Sequence, residues 1–350
     1  MGRGQTRRLA VRAPLLAGLL AAGLVAGPGS GEARPAAEAM VPDLAAAADL
    51  LAAEEFDAAQ AMLDSLRQRH PDEAAIHAQL GNIAFELRDY RAAVKYFERA
   101  ITLAPLEADY PFELGRALIG RIAGAGLFKK PGLARRMRAA FEEALRLEPD
   151  HPRARLALVS YLANAPGIMG GSKKKARAEA ARLKEIDPPT YSRALARLAV
   201  VDERQTAAFD HYRASLEARF DKRTAGEFAA WLESEERWDE ALAVVARAIG
   251  PGDGGATPLL VYYIYGRLAA TSGRQLAAGG RALDHFMAAD RRRKSPKERV
   301  ESHYLRGRIY EQSGQHAAAR AAYGKTLLLD QGHKQAARAL RRLGEADGGG

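Results

Sequence analysis

The sequence has 350 residues, a formal net charge of +10, no cysteine and an aromatic content of only 7%. The lack of cysteine excludes disulfides, thiolate metal sites and a cysteine nucleophile, so the fold must be stabilised by packing alone. The chain is rich in Ala, Leu, Arg and Glu, whose entropic cost in helices is low, and poor in β-branched residues. This composition predicts an all-α protein.

The amino terminus has the pattern of an export signal, in which basic residues precede a short apolar run. The run at Ala13–Gly27 is shorter than the roughly 20 residues that cross a bilayer. Gly31 and Ala33 provide the small residues that favour cleavage. We therefore predict a signal peptide over residues 1–33, a linker over 34–41 and a soluble periplasmic protein.

Two features bear on how the chain is exported and whether it is anchored. The segment from Thr6 to Arg12 also resembles a twin-arginine signal, so the general and the twin-arginine routes both stay open. A lipoprotein is not expected, because no cysteine follows the apolar run. An uncleaved transmembrane anchor is the weaker alternative.

The body of the chain repeats itself at a spacing of 34 residues. A repeat of this length holds two antiparallel helices, which bury their apolar faces only by stacking on neighbouring pairs. The first two repeats are predicted at Pro42–Asp72 and Glu73–Ala104. Their matching residues are Phe56, Ala59, Leu63 and Pro71 in the first and Tyr90, Ala93, Phe97 and Pro105 in the second.

The third and fourth repeats are predicted to carry insertions between their helices, around residues 122–132 and 165–175. In the fourth, Ser172 is placed to cap the second helix. The stretch 106–220 holds the weaker repeats, and a Gly-rich linker is predicted over 250–258. We expect a capping helix over 333–343 and a disordered tail over 344–350.

These positions resemble the tetratricopeptide repeat family, whose hallmark is a small residue in the first helix and an aromatic, Ala, large apolar, Ala and Pro series around the second. Repeat two carries the pattern through Leu80, Gly81, Tyr90, Ala93, Phe97, Ala100 and Pro105. Repeat eight carries it through Gly307, Tyr310, Gly314, Ala319 and Tyr323. The resemblance covers 42–343 and implies a right-handed superhelical solenoid of about eight repeats, whose first helices line a concave groove for proteins or peptides.

No enzymatic motif accompanies the repeats. The eight histidines lack the HExxH and HxH spacings that bind one metal ion, and the G-x-S-x-G elbow of hydrolases is absent. Gly167–Lys173 departs from the spacing of a phosphate-binding loop. We therefore expect no enzyme, no cofactor and no metal site.

Three first helices share a motif in which an arginine follows an aromatic residue by four positions, so that both lie on one helix face. The pairs are Phe112 with Arg116, Tyr263 with Arg267, and Tyr304 with Arg308. The resemblance places this face at the groove, where arginine beside an aromatic suits an acidic peptide or a carboxylate terminus. It also places Asn82 at the asparagine position of the family's carboxylate clamp, although Ala78 replaces the clamp's lysine. The alternative is that the arginines pair with acidic residues of a neighbouring repeat.

Lysines lie beside apolar residues in both predicted insertions. They are Lys129, Lys130, Lys173, Lys174 and Lys175. Because equivalent loops of stacked repeats emerge along one edge, we predict a single basic patch for an anionic membrane surface, a polymer or an acidic helix. Solvated lysines without a partner are the simpler alternative.

The sequence favours a non-catalytic periplasmic scaffold or adaptor for envelope protein assembly, which binds proteins or peptides in its groove. The alternative is an accessory ligand-binding protein for transport or polysaccharide export that contacts an anionic polymer or lipid through the basic loops. Nucleic acid is not expected as a partner of an exported protein. The oligomeric state stays open.

Overall fold

The computed structural model describes residues 33–53, 55–250, 257, 259–289 and 296–347. Within these ranges the chain forms seventeen α-helices, one 3-10 turn and no strand, which confirms the predicted all-α class. The predicted signal peptide lies outside the described residues, except for Ala33.

The helices form eight antiparallel pairs followed by one final helix. The first four pairs are α1 Ala33–Ala52 with α2 Phe56–Arg69, α3 Ala74–Glu86 with α4 Tyr90–Leu103, α5 Asp109–Ala123 with α6 Lys130–Leu147, and α7 Pro152–Asn164 with α8 Lys173–Ile186. The next four are α9 Pro188–Val201 with α10 Gln205–Ala218, α11 Lys222–Ser234 with α12 Trp238–Ile249, α13 Leu259–Ser272 with α14 Leu276–Ala289, and α15 Pro296–Gln312 with α16 His316–Leu329. Helix α17, Lys334–Asp347, follows.

Small residues set the distance between the helices of a pair. A Cβ added to Gly81 in α3 would lie 2.8 Å from the ring of Phe97 in α4. Ala93, on the same helix as Phe97, is fully buried. In the eighth pair a Cβ on Gly307 would lie 2.5 Å from the ring of Tyr323. These family positions therefore act as close-contact points, because any larger side chain would separate the two helices.

The structure corrects two predicted boundaries. Residues 34–41 belong to α1 and not to a linker, and residues 344–347 continue α17 and not a tail. The final helix is capped by His333, whose Nδ1 accepts from the backbone N–H of Ala336 at 3.2 Å. Buried alanines of α17 pack in the same cluster as Tyr323, so this helix covers the apolar face of the eighth pair.

The insertion in the third repeat mainly lengthens a helix. Helix α6 has 18 residues where α4 has 14, and the loop between α5 and α6 contains only residues 124–129. Lys130 is therefore helical. In the fourth repeat, residues 165–172 do form a loop, with a 3-10 turn at Gly167–Met169. Ser172 Oγ accepts from the backbone N–H of Lys175 at 3.3 Å, which confirms the predicted cap.

Candidate partner-binding groove

The second and eighth helix pairs are in contact although they are far apart in the sequence. Arg88, in the turn between α3 and α4, forms an ion pair with Glu298 of α15 in the eighth pair. Arg88 has a left-handed backbone with φ of 59°, the conformation that Gly314 adopts with φ of 73° in the turn of the eighth pair. A residue other than glycine pays roughly 1–2 kcal/mol there. The turn of the second pair thus lies near the start of the first helix of the eighth pair.

Arg116, from the predicted motif, lies in this groove in contact with two neighbours. Its Cζ is 4.4 Å from the ring centroid of Phe85 in the preceding pair, and it forms an ion pair with Glu113 one turn earlier. The ring of Phe112 is 4% exposed and lies 6.0 Å from that of Phe141. Phe112 therefore supports the groove from the core and does not present its ring to a ligand.

A second arginine shares the same carboxylate. Arg153 of α7 donates from Nη2 to Glu113 Oε1 at 2.7 Å, and its Cζ lies 4.3 Å from the ring of Phe112. Its Nη1 is also 3.9 Å from Asp109 Oδ1, at the outer limit of an ion pair. Glu113 thus contacts two guanidinium groups, each of which lies within 4.4 Å of the centre of an aromatic ring.

A third arginine, Arg223, lies near enough to this pair for their positive charges to act on it. Arg223, near the start of α11, remains exposed to solvent but is surrounded by charged groups of the second, third and fourth pairs. Desolvation and the positive charge of Arg116 lower its pKa, with Arg153 adding to the shift and Glu86 opposing it. We call Arg116, Arg153 and Arg223 the arginine triad. A bound anion would relieve the repulsion within it.

Farther along the groove a different arginine cluster is fully paired. Arg193 and Arg197 of α9 both donate to Glu227 of α11, at 2.8 and 2.7 Å to Oε2. Tyr212 donates to the same carboxylate at 2.9 Å, and Arg197 reaches Ser160 Oγ at 2.6 Å. Burial alone would raise the pKa of Glu227, but the hydrogen bonds and charge of Arg197, with Arg193, lower it to about 2.

The remaining predicted groove residues do not join the triad. Arg267 pairs with Glu233 of the preceding repeat, with Nε at 3.1 Å, as the ion-pair alternative predicts. Tyr263 is buried, with its ring 5.2 Å from that of Phe286 in the core. Arg267 therefore joins neighbouring pairs, whereas Tyr263 packs inside its own pair.

Arg308 and Asn82 are both half-buried and form no ion pair or hydrogen bond within the described ranges. The ring of Tyr304 lies 5.8 Å from that of Tyr323 inside its own pair. Since Arg308 and Asn82 are half-accessible, both keep donors that a ligand could use.

The predicted basic residues divide into two groups. Lys173 is bound to the next pair, because its Nζ lies 2.9 Å from Asp202 Oδ1 and 3.2 Å from the carbonyl of Val201. Lys129, Lys174 and Lys175 are exposed, and Lys130 is half-buried. The described part of the chain supplies none of these four with a partner for its ammonium group.

Two residues of the arginine triad carry no local sequence signal. Arg153 stacks on an aromatic ring of the preceding repeat, so it lacks the four-residue spacing of the motif. Arg223 comes from three repeats beyond Arg116 and reaches it only because the superhelix curves. Among the residues that the structure describes, there is no cluster of metal ligands and no helix long and apolar enough to cross a membrane.

A helical solenoid with an inner groove defines a repeat protein, and profiles of the tetratricopeptide repeat match residues 44–108, 78–126 and 300–333. The chain belongs to the tetratricopeptide repeat family. A search among curated proteins found no match.

A solved structure shares the fold, and two others are similar to parts of it. Yeast Tom70 matches with a TM-score of 0.53 and 14% identity over 84% of this chain and 59% of that one. A thermophilic tetratricopeptide repeat protein from Thermus thermophilus matches with a TM-score of 0.47 and 19% identity over 55% of this chain and 97% of that one. The anaphase-promoting-complex assembly Cut9–Hcn1 matches with a TM-score of 0.46 and 14% identity over 85% of this chain and 48% of that one. The chain thus spans less than two thirds of two of these relatives.

Proposed function

We propose that this protein is a non-catalytic scaffold or adaptor that binds an acidic segment of a partner protein in its inner groove. Tetratricopeptide repeat folds generally mediate interactions between proteins. The observation that carries the proposal is that Arg116 and Arg153 share Glu113 and each lies over an aromatic ring, with the charge of Arg223 nearby. Guanidinium groups fixed on aromatic rings are preorganised for carboxylates, which they bind through two parallel hydrogen bonds.

The place of action that we propose is the bacterial periplasm, with envelope protein assembly as the process. The support is the pattern of basic and apolar residues at positions 1–33, together with the absence of cysteine. Mature protein that begins near Arg34 and fractionates with the soluble periplasm is the expected result. An intact amino terminus on a membrane-bound protein would contradict it.

The groove is tested with a fluorescently labelled hexaglutamate peptide and with crosslinked partners recovered from intact envelopes. Arg116→Ala and Arg223→Ala should each weaken peptide binding by about tenfold, the effect of losing one charge-assisted hydrogen bond of roughly 1.5 kcal/mol. Arg213→Ala is the matched control, since Arg213 is 60% exposed and pairs only with Glu217 on its own helix. Equal binding by all variants, with loss of stability instead, would make the triad a structural cluster.

A second candidate function is an accessory protein for transport or polysaccharide export that contacts an anionic polymer or lipid. The observation in its favour is that Lys129, Lys174 and Lys175 are exposed and have no acidic partner in the described residues. Recovery of glycan or lipid without protein bands in the same crosslinking experiment would support this function over the scaffold.

A further inference from the structure

Large apolar side chains protrude from the turns of the third and fourth pairs. Leu127 is 79% exposed, Phe128 102% and Ile168 97%. Phe128 and Ile168 are the two most exposed large apolar side chains in the described part of the chain. Full exposure of an aromatic ring forgoes the gain of burial, so these side chains favour an apolar environment outside the protein.

The two turns lie on the same edge of the solenoid. The loop of the fourth pair packs on α6, where Gly170 approaches the Arg138 guanidinium so closely that a Cβ would collide with it. Tyr161 donates its hydroxyl to the carbonyl of Met169 and holds the loop there. Arg138 is eight residues beyond Lys130, which corresponds to about 12 Å along the helix. The tips of both turns therefore belong to one surface.

This surface carries positive charge that the protein does not neutralise. No acidic residue occurs between Glu113 and Glu142, and none between Asp150 and Glu179. Arg136, Arg138 and Lys173 pair with acidic groups outside these stretches. The cations without an ion-pair partner in the described residues are Arg121, Lys129, Lys130, Arg135, Lys174 and Lys175. We call this surface, with its apolar tips, the basic edge.

We propose that the basic edge docks on an anionic lipid bilayer, with Phe128, Leu127 and Ile168 entering the interfacial layer and the lysines contacting headgroups. Single apolar side chains that project from turns suit insertion, whereas an acidic helix would require a recess or an apolar face to pack against. Lysine stems follow apolar surface while their ammonium groups remain near phosphate. The proposal concerns a surface separate from the groove, and it selects lipid among the anionic ligands of the second candidate function.

Flotation of the full chain with vesicles measures the charge contribution. Vesicles that contain phosphatidylglycerol should bind it, and vesicles of phosphatidylcholine alone should bind far less. Lys174→Glu with Lys175→Glu should lower affinity by at least about 25-fold, because each lysine near an anionic surface contributes about fivefold. Lys325→Glu with Lys334→Glu changes the net charge equally and should cost less than about twofold. The amino-terminal apolar run is common to both variants, so their difference isolates the basic edge.

The apolar tip is tested at Phe128. Phe128→Ser should weaken vesicle binding by on the order of tenfold, whereas Leu328→Ser, at a leucine 73% exposed on α16, should not. Tryptophan placed at Phe128, but not at Leu328, should be quenched by brominated lipid. If the lysine substitutions weaken vesicle binding but Phe128→Ser does not, the proposal is overturned and a soluble polyanion is favoured as the ligand. An acidic protein captured through these lysines without vesicle binding would also overturn it.

Discussion

Two arginine clusters occupy the same groove, and their charges are balanced differently. Around Glu227, two arginines and Tyr212 converge on one carboxylate whose pKa falls to about 2. In the other cluster, Arg116 and Arg153 share Glu113 while Arg223 meets them with its pKa lowered. The first cluster has used its donors on the protein itself, whereas in the second the charges of Arg116 and Arg153 act on a third arginine, Arg223. The comparison separates a structural network from a proposed binding site, although both look alike in the sequence.

The largest expected effect is the loss of the Glu227 carboxylate. Glu227→Gln should lower the free energy of unfolding by about 3 kcal/mol, because it leaves two partly buried guanidinium groups without their anion. Denaturant titration measures it. A loss below about 1 kcal/mol would remove the distinction between the two clusters.

Protonation of Glu227 at low pH should lower the free energy of unfolding by about as much as Glu227→Gln does. Since the folded state lowers the pKa of Glu227 from 4.5 to about 2, the stabilisation is complete above the unfolded value and is lost as pH falls through the folded one. The shift corresponds to roughly 3 kcal/mol. Wild-type stability should therefore decline between about pH 4.5 and pH 2, more steeply than that of Glu227→Gln. Parallel pH profiles would contradict this assignment.

Glu113→Gln should affect peptide binding more than stability, in contrast to Glu227→Gln. It removes the shared anion from Arg116 and Arg153, so binding of the hexaglutamate peptide should strengthen by several-fold. The free energy of unfolding should fall by less than for Glu227→Gln, by roughly 1–2 kcal/mol, because Arg116 is 17% exposed and loses its anion while Arg153 is 51% exposed and can be solvated. A stability loss equal to that of Glu227→Gln would make both clusters structural.

The smallest effect is expected at the contact that closes the groove. Glu298→Gln removes the charge of the ion pair with Arg88 and should change stability by about 1 kcal/mol, since the amide oxygen of glutamine still accepts a hydrogen bond from Arg88. The distribution of distances between spin labels on cysteines introduced at Arg91 and Lys297 should nevertheless broaden. Labelling at these two positions is specific because the chain has no cysteine of its own. Arg88→Gly, which removes the backbone strain with the side chain, is the companion variant. An unchanged distance distribution in both would show that packing alone sets the curvature.

The fold was predictable because the repeat positions act locally. Gly81 admits the ring of Phe97, and Ala93 is buried where the pattern places it. The helical content of 34–41 was missed, because an Ala-rich stretch after a predicted export signal has the composition of either a linker or a helix start. The extra residues of the third repeat became helix in α6, where the apolar Leu133 and Met137 are buried one turn apart.

The candidate site was predictable only in part. Arg116 was identified from its spacing to Phe112, and Arg267 follows the same spacing but pairs with Glu233. Nothing in the local pattern separates these two arginines, since the difference lies in which acidic residue the neighbouring repeat presents. Arg223 could not be predicted at all, because it meets Arg116 only through the curvature of the stacked pairs.

The sequence by itself therefore determined the helix pairs, their close-contact positions, the cap at Ser172 and the excess of basic residues. Each of these depends on residues within about one repeat, where spacing and side-chain size decide the packing. Only the tertiary structure decided that Arg88 meets Glu298, that Arg116 and Arg153 share Glu113, and that Arg223 lies near them. Small rotations between successive pairs accumulate along a solenoid, so the contacts across its groove depend on every interface between them.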